Sequence, residues 1–129
     1  MQLLLDTHAL LWWLDGDQRL SPTARSLIGD EKTVVLVSAA SAWEIATKVR
    51  IGTLPGAVEV AEQFMEIIGR QDFEELSISV AHARWAGLLP GEHRDPFDRM
   101  LIAQAQIEGL PLVSIEPLFD HFGIRRIWS

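Results

Sequence analysis

Short apolar runs alternate with amphipathic stretches along the chain. Leu3-Leu4-Leu5 reads as a brief buried strand ending at Asp6. Thr7 to Leu14 reads as a helix, with Leu10, Leu11 and Leu14 on one face, stopped by Asp15-Gly16-Asp17. Ser21-Pro22 has the form of an N-cap followed by proline at the first helical position, and opens a helix to about Ile28. Thr33 to Ser38 is β-branched and apolar on both faces, which predicts a central, parallel strand. Ser38 then caps a helix to about Arg50, broken by Gly52 and Pro55-Gly56. A further helix is expected from Ala57 to Ile68, ended by Gly69, then a short third strand around Glu74-Leu76-Ile78 and a helix from Val80 to Leu88. After the polar loop Pro90 to Asp95, a helix runs from Pro96 to Glu108 and closes at Gly109. Leu110 to Ser114 is a fourth strand and Ile124 to Trp128 a fifth. Strands separated by helices require crossovers. The pattern therefore predicts an α/β fold with a mainly parallel sheet and helices on both faces.

Composition narrows the class. The chain has 129 residues, 48% hydrophobic and 22% charged. Those values fit one globular domain spanning 1–129 and exclude a disordered or fibrous chain. No apolar run approaches the roughly 18 residues of a membrane helix. The opening residues lack a basic segment and reach Asp6 at once, which argues against a secretory signal. The absence of cysteine removes disulfides, thiolate catalysis and Cys-based zinc sites, and fits a reducing cytoplasm. The net charge of −7 disfavours generic nucleic-acid binding through a basic surface. Two explanations of the acidity remain open: a basic partner, or acids gathered around a cation.

The placement of the acids bears on that choice. Asp6 ends the first strand, Glu44 lies on the helix after the second, and Glu116 follows the fourth. Asp95 and Asp98 open the helix before the fourth strand. In a parallel sheet, strand ends and the starts of the following helices share one edge, where ligands bind. Carboxylates converging there without matched bases are costly unless a divalent cation neutralises them, and oxygen-only ligands suit Mg²⁺ or Mn²⁺. Each acid also has a purely structural reading. Asp6 can cap the next turn, Glu44 can pair with Lys48 in solvent, Asp95 has the form of an N-cap, and Glu116 precedes Pro117 in a loop. Asp98 fits such a reading least, because Leu101, Ile102 and Ala105 share its helix face. His8, His82, His93 and His121 show no metal-binding spacing, and no phosphate-binding glycine motif or serine-hydrolase elbow is present. The five tryptophans suit core filling or a dimer interface, with base stacking a secondary role.

Three blocks carry a resemblance. Leu5 to Trp13, Val37 to Ala46 and His93 to Ala105 resemble the three signature blocks of the PIN domain, in particular the VapC-type toxins of bacterial toxin–antitoxin pairs. The resemblance implies a three-layer α/β/α sandwich with a sheet of four to five strands. It implies a metal-dependent ribonuclease that is dimeric, cytoplasmic and inhibited by an antitoxin from the adjacent gene. On that resemblance Asp6, Glu44, Asp98 and Glu116 are the catalytic acids. Asp6, Asp98, Glu116 and Asp95 are the metal ligands, for Mg²⁺ or Mn²⁺. Glu116 stands where the family has an aspartate, and its extra methylene moves the carboxylate by one C–C bond.

The same resemblance implies that a metal-activated water attacks an RNA phosphodiester in line. Glu44 would orient the water, Thr7, Ser38 and Ser114 would hydrogen-bond carboxylates or phosphate, and Arg94 and Arg99 would hold backbone phosphates. For Arg99, a salt bridge to a carboxylate is the equal alternative. Two other functions remain in play: a catalytically degenerate PIN-fold interaction module, and a small phosphatase or flap-type nuclease using the same carboxylate logic.

Overall fold

A computed structural model describes residues 1–129. Five strands form one sheet: β1 (Gln2–Leu5), β2 (Val34–Ser38), β3 (Glu74–Leu76), β4 (Leu112–Val113) and β5 (Arg126–Ile127). Their order is β3-β2-β1-β4-β5 and every pairing is parallel. β2 is interior, as its two-faced apolar character requires, but the central strand is β1. The helices are α1 (Thr7–Asp15), α2 (Pro22–Gly29), α3 (Ala39–Arg50), α4 (Val58–Glu62), α5 (Phe64–Arg70), α6 (Val80–Leu88) and α7 (Pro96–Glu108).

Successive strand side chains point to opposite faces. Leu3, Leu5, Val35, Val37 and Val113 pack with Leu10, Ala24, Ile45 and Ile68 in one apolar layer. Leu4, Leu36 and Leu112 pack with Ala86, Leu101, Ile102 and Phe119 in the other. The sheet is thus covered by α1 to α5 on one side and by α6 and α7 on the other, a three-layer α/β/α arrangement.

Two expectations change in detail. The segment expected as one helix from Ala57 to Ile68 is two, broken at Gln63. Its only buried side chains are Ala57 and Ile68, and the break lies between these anchors. The second helix runs past Gly69 to Arg70, because Asp72 (φ 58°), not Gly69, takes the left-handed position of the exit turn. β4 holds two residues where five were expected: Leu110 N–H closes the end of α7 on the Ala105 carbonyl, and Pro111 has no N–H to give the ladder.

The topology creates one switch point. From β1 the chain moves to β2 and β3 on one side, then returns to place β4 on the other side of β1. The crevice beyond the carboxyl ends of β1 and β4 is where an open α/β sheet binds ligands. Asp6 and Ser114 are the residues that leave those two strands.

Candidate active site

Asp6 follows β1 and is only 5% exposed. Its backbone N–H donates to the Val113 carbonyl of β4, and its Oδ1 caps α1 by accepting the Ala9 N–H at 2.7 Å. Burial pushes its pKa up to about 6, against the opposing effect of the Ser114 hydroxyl and the Ala9 amide, and the nearby Asp98 charge raises it further. Asp98 lies in the first turn of α7 and its pKa is also raised. Burial is the main cause, His93 opposes it, and the charges of Asp95 and Glu44 add to it. The two acids therefore lie within electrostatic reach of their neighbours, each held above the usual carboxylate range.

These groups line one cavity of about 250 Å³ together with Thr7, His8, Glu44, Lys48, Asp95, Glu116 and Leu118. Five carboxylates face a single lysine. Asp95 is the N-cap of α7, with Oδ1 accepting from Phe97 N–H and Asp98 N–H, so its structural reading holds while it also faces the cavity. Glu44 is buried on α3 and accepts from Lys48 Nζ at 2.5 Å. Glu116 is exposed at the rim, its backbone N–H donating to the Ser114 hydroxyl. Asp98 Oδ2 meets His93 Nε2 at 2.9 Å.

The polar residues divide into those at the cavity and those behind it. Thr7 lines the cavity and donates its hydroxyl to Ser41 at 3.0 Å, tying the start of α1 to α3. Ser114 is fully buried, its hydroxyl accepts the Glu116 N–H, and it lies near enough to Asp6 to favour the ionised carboxylate. Ser38 does not reach the acids. Its hydroxyl donates to Gln104 and accepts the Ala40 N–H, because it is occupied as the N-cap of α3.

Arg99 neither holds a carboxylate nor faces the cavity. It donates to the carbonyls of Ala86, Gly87, Leu89 and His93, capping the end of α6 and pinning the loop that carries His93. Arg94 is exposed in a separate, wider opening with Gly87, Glu92 and Arg99. Sequence reasoning missed His93 on Asp98, His8 at the rim, the Thr7–Ser41 bond and the presence of Lys48 inside the cavity. The i, i+4 spacing of Glu44 and Lys48 was the one available signal for the last of these.

An all-oxygen donor set, two carboxyls with raised pKa values and one lysine among five acids suit a hard divalent cation. As positioned, no three acidic or histidine side chains approach closely enough to grip one ion together. His93 and Lys48 instead occupy oxygens of Asp98 and Glu44. The donor chemistry fits the ion, and the second oxygen of each of these carboxylates carries no side-chain partner.

The comparisons agree with this architecture. The family model of the PIN domain matches residues 3–123. A chain of VapBC2 from Rickettsia felis, solved bound to a DNA fragment from their promoter, superposes with a TM-score of 0.65 at 14% identity, covering 100% of both chains. A chain of a toxin–antitoxin complex from Klebsiella pneumoniae gives 0.58 at 20% identity, over 88% of this chain and 86% of that one. At these identities the likeness is one of fold. No curated protein sequence matches the chain.

Proposed function

The chain belongs to the PIN domain family, and from that premise we propose that it is a Mg²⁺- or Mn²⁺-dependent endoribonuclease acting as the toxin of a toxin–antitoxin pair. The observation that carries this reading is the convergence of Asp6, Glu44, Asp95, Asp98 and Glu116 on one cavity at the switch point, two of them held with raised pKa values and Lys48 the one lysine or arginine among them. A divalent ion bound there supplies Lewis acidity, making water nucleophilic at neutral pH and offsetting charge that develops on the phosphate.

The chain's own residues do the positioning. Asp6 offers a buried carboxylate at the end of β1 and Asp98 a half-buried one at the start of α7, with Asp95 and Glu116 beside them. The Ala9 amide fixes the Asp6 carboxylate, with the Ser114 hydroxyl favouring its ionised form. Glu44 sits across the cavity on α3, where its carboxylate can accept a hydrogen bond from the attacking water. RNA is the substrate, a neighbouring-gene antitoxin and a second copy of the chain are the partners, and the cytoplasm is the compartment. The structure has no helix long and apolar enough to cross a membrane.

End-group analysis tests the chemistry. Hydrolysis by water leaves a phosphate and a free hydroxyl at the cut and depends on added Mg²⁺ or Mn²⁺ after chelation. Products ending in a 2′,3′-cyclic phosphate, or cutting that survives chelation, contradict it. One observation favours a second reading. No three ligands are gathered as the residues stand, which suits a degenerate interaction module, and such a module shows no saturable Mn²⁺ binding.

A further inference from the structure

We propose that Lys48 is the cavity's phosphate ligand, serving as the counter-charge of Glu44 until substrate arrives. This inference rests on the ribonuclease reading above. An i, i+4 Glu–Lys pair on a helix is ordinarily a solvated contact of little consequence. Here the Glu44 side chain is 7% exposed, so its charge is nearly removed from water and needs a partner. Lys48 supplies that partner with its ammonium at 2.5 Å, while a third of its own side chain stays exposed in the cavity.

An ammonium carries three N–H donors. Lys48 spends one on Glu44 and has no other acceptor in the protein. The remaining donors belong to a cationic head lining the same cavity as Asp6 and Asp98. The two arginines flanking the acids are committed or displaced: Arg99 donates to four backbone carbonyls, and Arg94 lines a different opening. A phosphodiester approaching five carboxylates is repelled, and Lys48 is the one lysine or arginine in the cavity wall able to hold a nonbridging phosphate oxygen as a point charge.

The test compares wild type with Lys48→Met and Lys48→Arg, using a short labelled single-stranded RNA of mixed sequence. Binding is followed by fluorescence anisotropy with Ca²⁺ replacing Mg²⁺ to restrain cleavage. Mn²⁺ binding without RNA is followed by calorimetry, and melting curves verify that each variant is folded. Lys48→Met is expected to bind the RNA about ten- to a hundredfold more weakly, the loss of one charged hydrogen bond. The slope of log affinity against log salt should become shallower by about 0.7, one phosphate contact on a single strand. Its Mn²⁺ affinity should equal or exceed that of wild type, because no ammonium competes for Glu44. Lys48→Arg should retain most RNA affinity and the wild-type slope.

Unchanged RNA affinity and slope in Lys48→Met overturn the proposal. So does joint loss of RNA and Mn²⁺ binding in a folded Lys48→Met, which makes Lys48 a prop for Glu44 alone. A wild-type protein that binds neither Mn²⁺ nor RNA overturns the ribonuclease reading itself, and Lys48's role falls with it.

Discussion

One oxygen of Asp6 accepts the Ala9 N–H, a bond that favours the ionised group, yet burial wins and lifts the pKa from its ordinary 3.8 to about 6. Between about pH 4 and 6 the folded, metal-free protein therefore holds a proton on Asp6 that the unfolded chain has already released. Stability from this group is full below the unfolded pKa and is lost as pH rises from about 3.8 to about 6. Two units correspond to roughly 3 kcal/mol. Asp6→Asn keeps a carbonyl for Ala9 and carries no charge, so in chelator near neutral pH it should melt at a higher temperature than wild type. Melting curves from acidic to neutral pH check this, and a lower melting temperature for the variant at neutral pH contradicts it. The same proton competes with the cation, so Mn²⁺ affinity measured by calorimetry should fall as pH drops through about 6.

At the scale of elements, the site depends on how α3 and α7 are held together. Gln104 of α7 is fully buried, accepts from the Ser38 hydroxyl at the cap of α3, and donates to the Ser77 carbonyl at 3.3 Å. Gln104→Leu removes the acceptor of the Ser38 O–H and the donor to that carbonyl. A loss of about 1–3 kcal/mol is expected, read as a lower urea midpoint at unchanged slope. An unchanged midpoint would show that the bridge does not hold the helices. The starts of α2, α3 and α7 were legible in the sequence. Ser21, Ser38 and Asp95 are N-caps because capping needs only a side-chain oxygen and the next few amides. The acids at strand ends were legible because the parallel topology brings those ends together. The reach of Arg99 across to α6 and of His93 onto Asp98 was not, since both depend on the path of the loop between α6 and α7. The break at Gln63 was equally hidden, because it answers to two anchors in the tertiary core and not to a local breaker.

For the molecule as a whole, the net charge of −7 and the concentration of acids at one crevice have a common consequence. A saturating divalent cation binds the native state only, so it should raise stability by about 2.7 kcal/mol at a hundredfold excess over its dissociation constant. Asp98→Asn should lose most of that gain, as melting curves with and without Mn²⁺ will show. The remaining negative surface suits a basic partner segment, which on the proposed toxin reading is the antitoxin.

The most direct test of the account is cleavage of total bacterial RNA with Mg²⁺ or Mn²⁺ by wild type, Asp6→Asn and Asp98→Asn. Wild type is expected to make discrete cuts that disappear in both variants. Cuts that persist unchanged in the two variants would contradict it.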